Sequence, residues 1–301
     1  MSSSSIGESD LTGLPKDFMP DLRRLKSWPS MKDSPWRQPY LARLTFGEIH
    51  NLVDEYIFGQ HLRILDVGCG RGWLSLELAR EGHDVIGIDS SKEMIQNAKR
   101  TMDTDPYKDE RGNLEFQISD FSQWNHPAES FDLVIFSRSL HHIPQPSKAV
   151  RKAHDLLKKD GQLICIEYAY DRLDKKTATW IYNVRRSLQQ SGWYKSRKKL
   201  SDKIDQSASE IMEEYNAPSR KEHYNRFEEM RKPLNTLFRE VHFSWEPYIY
   251  WDLIMDMRVP SEDVEMATAR SIMAMETALI EANSINPVLF CFVGLKQPGK
   301  S

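Results

Sequence analysis

Three glycines at alternate positions follow a short apolar run in the stretch ILDVGCGRGWLS, residues 64–75. Gly68, Gly70 and Gly72 leave the backbone without side chains where a strand is expected to turn into a helix. Glycine allows the main chain to come close to another molecule, because it has no Cβ atom to collide with it. The spacing therefore predicts a site where a small polar ligand lies against bare backbone.

Two common glycine-rich loops do not fit this stretch. A phosphate-binding loop ends in Gly-Lys followed by Ser or Thr, and no such residues follow Gly72. The dinucleotide fingerprint needs a glycine at the position of Trp73, where close packing of helix against strand is required. A tight turn without a ligand stays open as an alternative.

Polar residues also stand at the ends of the predicted strands that follow. Asp89 comes about 20 residues after the glycines, where an acid accepts hydrogen bonds from ribose hydroxyls in nucleotide-binding sheets. Asp120 ends the third strand, and the fourth strand runs into the turn Leu140-His141-His142. Ligands of open α/β sheets bind at the carboxyl ends of the strands, so this edge is the expected site.

Short apolar strands alternate with helical patterns from residue 62 to residue 168, which predicts a parallel sheet with right-handed crossovers. The predicted strands cover 62–67, 84–88, 114–118, 131–137, 162–168, 241–251 and 288–296. The predicted helices cover 72–81, 91–103, 146–158, 173–190, 199–216, 220–238 and 261–283, and another helical pattern begins near Pro39. Residues 1–33 are rich in Ser, Asp, Pro and Lys, and we expect a flexible segment with a short helix around 18–27.

The motifs, in this order, resemble class I S-adenosylmethionine-dependent methyltransferases of the small-molecule type. ILDVGCGRG resembles that family's first motif, and DVIGID, ISDF and FDLVIFSRSLHHI follow where the family has its next strands. The resemblance implies an α/β fold with a Rossmann-like seven-stranded sheet in the order 3-2-1-4-5-7-6, its last strand antiparallel. A helical lid, the insertion 171–240 after strand 5, is expected within a methyltransferase domain that covers 34–301.

The resemblance also implies S-adenosylmethionine as the cofactor. It assigns the cofactor site to Asp66, Gly68, Cys69, Gly70, Gly72, Asp89, Ser90, Asp120, Phe121 and Ser137. Asp120 is expected to face the exocyclic amine of adenine, Phe121 the adenine ring, and Ser137 the methionine part. Asp66 has two interpretations, a contact with the amino group of the cofactor or a bond to the loop's own amides.

Methyl transfer requires an acceptor held in line with the C–S bond, and a base only if the acceptor must lose a proton. His142 is the candidate base or orienting residue, although His141 and His142 also fit a structural turn. Phosphoethanolamine methyltransferases have a similar Ser-Arg segment ending in a His that works with an N-terminal Tyr. Here the spacing is one residue shorter, and Tyr40 is the tyrosine candidate by position. Glu167, at the end of the fifth strand, contacts substrate or binds a loop amide.

The composition sets further limits. A net charge of −3, with 40% hydrophobic and 28% charged residues, gives no general reason to expect nucleic acid or an anionic membrane. The N-terminus MSSSSIGESDLTG has no signal-peptide pattern, and the apolar run VLFCFVGL is too short to span a bilayer. The three cysteines suggest no disulfide framework, so the cytoplasm is the expected compartment, and no Cys or His pair has zinc-ligand spacing.

The insertion is basic and aromatic. Residues 172–203 contain ten Lys or Arg against two acids, together with Trp180, Tyr182, Trp193 and Tyr194. Such a segment suits an anionic or aromatic small molecule, and it also suits RNA or a solvated helical face. We interpret the chain as a methyltransferase for a small organic acceptor. An RNA or protein methyltransferase, or a binding protein without transfer activity, stays as an alternative.

Overall fold

The computed structural model describes residues 41, 43–103, 105, 107–194, 207–215 and 224–297. The chain divides into two compact units. The first unit comprises the described residues within Met1–Glu167, Glu228–Phe243 and Cys291–Ser301, and the second those within Tyr168–Phe227 and Ser244–Phe290.

Seven strands form one mixed sheet in the order β3-β2-β1-β4-β5-β7-β6, as predicted. Their bounds are β1 Arg63–Val67, β2 Asp84–Asp89, β3 Leu114–Ile118, β4 Phe131–Ser137, β5 Leu157–Tyr168, β6 Phe238–Glu246 and β7 Leu289–Lys296. β1 pairs in parallel with β2 and β4, β2 with β3, and β4 with β5. The carboxyl ends of these strands therefore meet at one edge of the sheet, as the motif order required.

The burial of each strand follows its place in the sheet. The central strands β1 and β4 read RILDV and FDLVIFS, nearly continuous apolar runs, and most of their residues are buried. Central parallel strands are covered on both faces, which explains the missing alternation. β3 lies at the edge, alternates in burial, and leaves Ile118 51% exposed.

The helices are α1 Glu48–Tyr56, α2 Trp73–Arg80, α3 Lys92–Asp103, α4 Pro146–Leu156, α5 Lys175–Gln190, α6 Ala208–Tyr215, α7 Phe227–Leu237, α8 Ile249–Met255 and α9 Glu262–Glu281. A π-helical turn, Arg43–Gly47, precedes α1, and Leu140–His142 forms a 3-10 turn after β4. Gly72 adopts a left-handed conformation immediately before α2, whose residues are all buried. This turn brings the chain from the edge of the sheet directly into a core helix.

Side-chain caps define the helices of the second unit. Asp174 accepts a hydrogen bond from the amide of Thr177 at 2.8 Å at the start of α5. Glu276 of α9 is buried and accepts the amides of Tyr248, Ile249 and Tyr250, the residues where α8 begins, at 2.9, 2.9 and 2.6 Å. Carboxylates are favourable at helix N-termini, where amides lack partners within the helix.

The second half of the predicted strand 241–251 is wrong. β6 ends at Glu246 and α8 begins at Ile249. Pro247 cannot donate a hydrogen bond to a strand ladder, and Glu276, distant in sequence, supplies the acceptors for the start of a helix.

The predicted helix end at 158 is also wrong, because α4 stops at Leu156 and β5 starts at Leu157. Phe131 pairs with Leu157 but Leu133 pairs with Gln162, so residues 158–161 form an irregular bulge in the strand. The sequence Lys-Lys-Asp-Gly at 158–161 therefore forms the bulge and does not end a helix.

Two predicted helices differ in extent from the structure. Of the predicted helix 199–216, residues Ala208–Tyr215 are helical and 199–206 and 216 lie outside the described residues. The prediction 220–238 is wrong at its ends, because residues 224–226 precede the helix Phe227–Leu237 and Phe238 begins β6. The prediction for residues 1–33 lies outside the described residues.

Candidate functional site

The loop between β1 and α2 contains two kinds of glycine. Gly68, Gly70 and Gly72 have φ values of 71°, 54° and 74°, which L side chains rarely adopt. A Cβ at Gly68 would lie 2.4 Å from the Cβ of Ser139, and one at Gly72 would lie 2.3 Å from Cζ of Phe116. A Cβ at Gly70 would meet no described atom within 4 Å. Packing therefore requires the outer glycines, whereas the middle one borders open space that suits a ligand against the backbone.

Asp89, at the end of β2, binds this loop. Its Oδ2 accepts a hydrogen bond from the amide of Gly70 at 2.9 Å, and its Oδ1 accepts the amide of Ser91 at 2.8 Å. Ser90, which stands between Asp89 and Ser91 in the chain, is exposed. A carboxylate offers about four acceptor positions, so these hydrogen bonds leave capacity for the predicted ribose hydroxyls. The contact between Asp89 and the loop was not foreseen.

Asp66 on β1 is 1% exposed, and its Oδ2 accepts a hydrogen bond from Oγ of Ser75 on α2 at 2.6 Å. The pKa of Asp66 is raised to about 6, because burial and, to a smaller extent, the charge of Asp89 raise it more than the hydrogen bond from Ser75 and the charge of Arg138 lower it. The observed partner is thus a helix side chain rather than a loop amide. No motif in the sequence indicated Ser75.

Cys69 contributes to packing through its side chain. It belongs to a buried cluster with Ile95, Ala98 and Phe116, and burial raises the pKa of its thiol well above the ordinary value. The sulfur is therefore a neutral, apolar group at neutral pH. The amide of Cys69 donates to the carbonyl of Ile88 at 3.0 Å, which ties the loop to β2.

Asp120 and Phe121 begin the loop that follows β3. Asp120 is exposed, and its Oδ1 accepts the amide of Ser122 at 2.8 Å. Phe121 is buried and packs edge-on against Phe136, with ring centroids 5.8 Å apart. Lys152 of α4, which the sequence analysis missed, binds the carbonyls of this loop.

Ser137 and Arg138 form the end of β4. Oγ of Ser137 is buried and has no hydrogen-bond partner among the described residues, so a bound ligand would satisfy it. Arg138 has a φ of 57°, and its guanidinium carbon lies 5.3 Å from the ring centroid of Phe46 and 5.9 Å from that of Trp73. Non-glycine residues with such φ values are costly and occur often at functional sites.

Glu167 lies beneath the turn 140–142. Its Oε1 accepts the amides of Ser139, at 2.5 Å, and of Leu140, and its Oε2 accepts a hydrogen bond from Nδ1 of His141 at 2.6 Å. Glu167 and His141 are buried, whereas His142 is exposed. The sequence left two interpretations of Glu167, a contact with substrate or a bond to a loop amide. The observed contacts are those of a residue that binds loop amides. The contacts give Glu167 a positioning role in the turn, and its catalytic role stays a prediction.

Three further points concern Tyr40, metal binding and membrane-spanning helices. Tyr40 lies outside the described residues. Within the part of the chain that the structure describes, no group of three or more His, Cys, Asp or Glu side chains could hold a metal ion. In the same residues, every helix is too short or too polar to cross a bilayer.

Comparison with known proteins identifies the family of the chain. A family described as "Methyltransferase domain" matches residues 59–229, more than half of the chain. Similar curated proteins include the ubiquinone biosynthesis O-methyltransferase of Coxiella burnetii, 29% identical over 126 residues, or 42% of this chain and 49% of that protein. The ubiquinone/menaquinone biosynthesis C-methyltransferase UbiE of Rickettsia akari is 31% identical over 137 residues, or 42% of this chain and 53% of that protein. The match thus spans about half the length of these relatives.

Solved structures show the same fold at low identity. An S-adenosylmethionine-dependent methyltransferase from Mesorhizobium loti is 16% identical, with a TM-score of 0.50 over 82% of this chain and 96% of that one. The [4+2]-cyclase SpnF is 17% identical, with a TM-score of 0.50 over 91% of this chain and 86% of that one. With its sheet order, glycine loop and matched family, the chain belongs to the class I methyltransferases, whose cofactor is S-adenosylmethionine.

Proposed function

We propose that the protein transfers a methyl group from S-adenosylmethionine to a small organic acceptor. The observation that carries the proposal is the difference between the three glycines of this loop, of which Gly70 alone borders space free of described atoms. The buried Oγ of Ser137, without a partner among the described residues, supports a ligand at the same edge of the sheet. S-adenosylmethionine supplies a methyl group that its sulfonium has already activated.

The protein's own residues bind and orient the cofactor. Asp89 accepts hydrogen bonds from the ribose hydroxyls while it holds the amide of Gly70. Asp120 accepts from the adenine amine, and Phe121 provides the apolar contact. Asp66 and Ser137 serve the methionine part. These roles are proposals that follow from the family motif at these positions.

His142 is the proposed base or orienting group. It is exposed at the end of a turn that Glu167 and His141 hold in place. If the acceptor carries a proton that must leave, an imidazole changes charge near neutral pH and can take it. If the acceptor has no such proton, the same imidazole orients it by a hydrogen bond.

The helical insertion carries the residues that we propose recognise the acceptor. The curated relatives act in ubiquinone biosynthesis according to their names, which favours a small aromatic acceptor over RNA or protein. Two cations of the insertion already have partners. Arg185 lies 3.6 Å from a carboxylate oxygen of Glu214, and the guanidinium of Arg172 lies 4.2 Å from the ring centroid of Trp245. These two cations are therefore less available to bind the phosphate groups of RNA.

One labelling experiment separates the alternatives. The protein is incubated with S-adenosylmethionine labelled in the methyl group and with a cell extract divided into small molecules, RNA and protein. Label in the small-molecule fraction supports the proposal, and label only in RNA or protein contradicts it. Binding of S-adenosylhomocysteine without transfer to any fraction would indicate a binding protein. A Gly70→Val variant, which cannot place the cofactor against the loop, is the matched control.

A further inference from the structure

One amino group from α4 binds several backbone carbonyls of the loop after β3, residues 119–124. Nζ of Lys152 donates hydrogen bonds to the carbonyls of Phe121 at 2.6 Å, Ser122 at 3.2 Å and Trp124. A lysine ammonium has three donors and no acceptor, so these carbonyls use its full donor capacity. The amino group also lies 5.1 Å from the ring centroid of Phe121.

The same loop is closed from within by Asp120. Its Oδ1 accepts the amide of Ser122, and its carbonyl accepts the amides of Gln123 and Trp124 at 3.0 and 2.9 Å. Asp120 thus makes the loop's internal hydrogen bonds, whereas Lys152 attaches the loop to a helix. The sheet also contacts this segment, because the amide of Ser119 donates to the carbonyl of Asp89 at 3.0 Å and Phe121 packs against Phe136. Lys152, however, is the side chain that joins three of the loop's carbonyls to α4.

We propose that Lys152 is a positioning residue that fixes Asp120 and Phe121 for recognition of adenine and so sets the preference for an adenine base. This proposal rests on the proposed function, in which these two residues contact adenine. Lys152 acts through the loop and does not touch the cofactor. No sequence motif marks it, because its partners are backbone carbonyls about 30 residues away in the chain.

The charges support this arrangement. Burial lowers the pKa of Lys152, and the negative charge of Asp120 raises it, so the carboxylate and the ammonium act on each other. Loss of the ammonium would remove the carbonyl contacts and the counter-charge of Asp120 together. The loop would then present Asp120 in several orientations rather than one.

The test compares the affinities of S-adenosylhomocysteine and S-inosylhomocysteine, in which a carbonyl oxygen replaces the adenine amine. Calorimetry on the parent protein should show tighter binding of the adenine compound. Lys152→Met should weaken binding of the adenine compound about tenfold or more, and that of the inosine compound much less, so the ratio of affinities falls. Lys152→Arg keeps the charge, but its planar fork meets the carbonyls poorly, so its ratio should lie between those of Lys152→Met and the parent.

Lys148→Met, an exposed position on the same helix, is the control and should keep the parent ratio. An unchanged ratio in Lys152→Met, or an equal loss of affinity for the two compounds, would overturn the proposal. If Lys152→Met does not fold, the ratio of Lys152→Arg decides, and a parent-like value overturns it. Asp120→Ala separates the two levels of inference. If it leaves the ratio unchanged, the adenine assignment itself is wrong; if it lowers the ratio while Lys152→Met does not, only the role of Lys152 is wrong.

Discussion

Glu167 accepts a hydrogen bond from Nδ1 of His141 at 2.6 Å, and the same buried carboxylate accepts the amides of Ser139 and Leu140. A buried charge is costly unless donors surround it, and here each oxygen has a donor. The bonds join the end of β5 to the turn after β4, where parallel strands place their carboxyl ends together. Glu167 thereby fixes the backbone from which His142 projects.

Replacing Glu167 with Gln should destabilise the protein and slow turnover, because one carboxylate oxygen becomes an amide nitrogen that cannot accept a hydrogen bond. We expect a loss of about 1–3 kcal/mol in the free energy of unfolding, the usual cost of a buried unsatisfied donor. Denaturant titration measures this loss. Glu55→Gln, at an exposed position, should be neutral. A Glu167→Gln protein with parent stability and parent turnover would mean that the turn does not depend on this carboxylate.

The glycine loop gives a second prediction, because Gly70 and Gly72 differ in their surroundings. Gly70→Ala adds a Cβ to open space and should cost only about 1–2 kcal/mol of stability from its left-handed backbone. It should nevertheless weaken binding of S-adenosylhomocysteine at least about tenfold, because the methyl group occupies ligand space.

Gly72→Ala should affect the stability of the protein more than its affinity for S-adenosylhomocysteine. Its Cβ would lie 2.3 Å from Phe116, so stability should fall further than in Gly70→Ala. Calorimetry and thermal unfolding on the two variants give the comparison. Equal affinities for S-adenosylhomocysteine in Gly70→Ala and the parent would show that the space beside Gly70 is not a ligand site.

The sheet was predictable because its signals are local. Each of the first four strands is an apolar run between turn residues, and β3 and β4 begin and end at the predicted residues. The glycine spacing predicted the turn between β1 and α2 for the same reason. What the sequence could not supply were partners distant in the chain, such as Ser75 for Asp66 or Lys152 for the loop after β3.

The error at 241–251 has the same physical origin. Trp245, Tyr248, Tyr250 and Trp251 are typical strand residues, so their propensity favoured one long strand. A buried carboxylate from α9, Glu276, instead accepts the amides at Tyr248–Tyr250 and starts a helix there. These tertiary contacts overrode local propensity, and Glu276 lies 26 to 28 residues along the chain from the amides that it binds.

Asp66 gives a prediction on pH. Its pKa is raised from the ordinary 3.8 to about 6, mainly by burial, so the carboxyl is mostly neutral below that pH and mostly charged above it. If the carboxylate pairs with the ammonium of the cofactor, affinity should be highest above about pH 7 and should fall by up to about tenfold per pH unit below 6. Calorimetry with S-adenosylhomocysteine between about pH 5 and about pH 8 measures the profile.

The titration of Asp66 should change the stability of the protein with pH in the direction opposite to the change in affinity. A raised pKa means that the folded protein holds this proton more tightly than the unfolded chain, so between 3.8 and about 6 the contribution of Asp66 to stability falls as pH rises. Asp66→Asn should abolish this pH dependence of stability and that of binding. The same binding profile in Asp66→Asn would leave Asp66 as a partner of Ser75 alone.

The last prediction concerns His142, the exposed member of the His141–His142 pair. If it removes a proton from the acceptor, His142→Ala should reduce turnover about 10²- to 10⁴-fold, the usual contribution of general base catalysis. Affinity for S-adenosylhomocysteine should change little, because the proposed role of His142 concerns the acceptor and not the cofactor. His142→Asn keeps a hydrogen-bonding group but cannot take the proton, so its turnover should be nearly as low. His61→Asn, at an exposed position outside the site, should behave as the parent.

The structure makes this test more informative than the sequence did, because the two histidines have different environments. His141 is buried against Glu167, so His141→Asn should destabilise the turn. Replacement of the exposed His142, whose ring centroid lies 4.0 Å from that of His141, should affect folding less. Parent-like turnover in both His142 variants would show that the enzyme works by positioning alone. A loss of folding or of cofactor binding in both would show that His142 has a structural role in the turn. A pH–rate profile of the parent that falls on acidification near neutral pH, and is absent in His142→Asn, would identify the imidazole as the group that takes the proton.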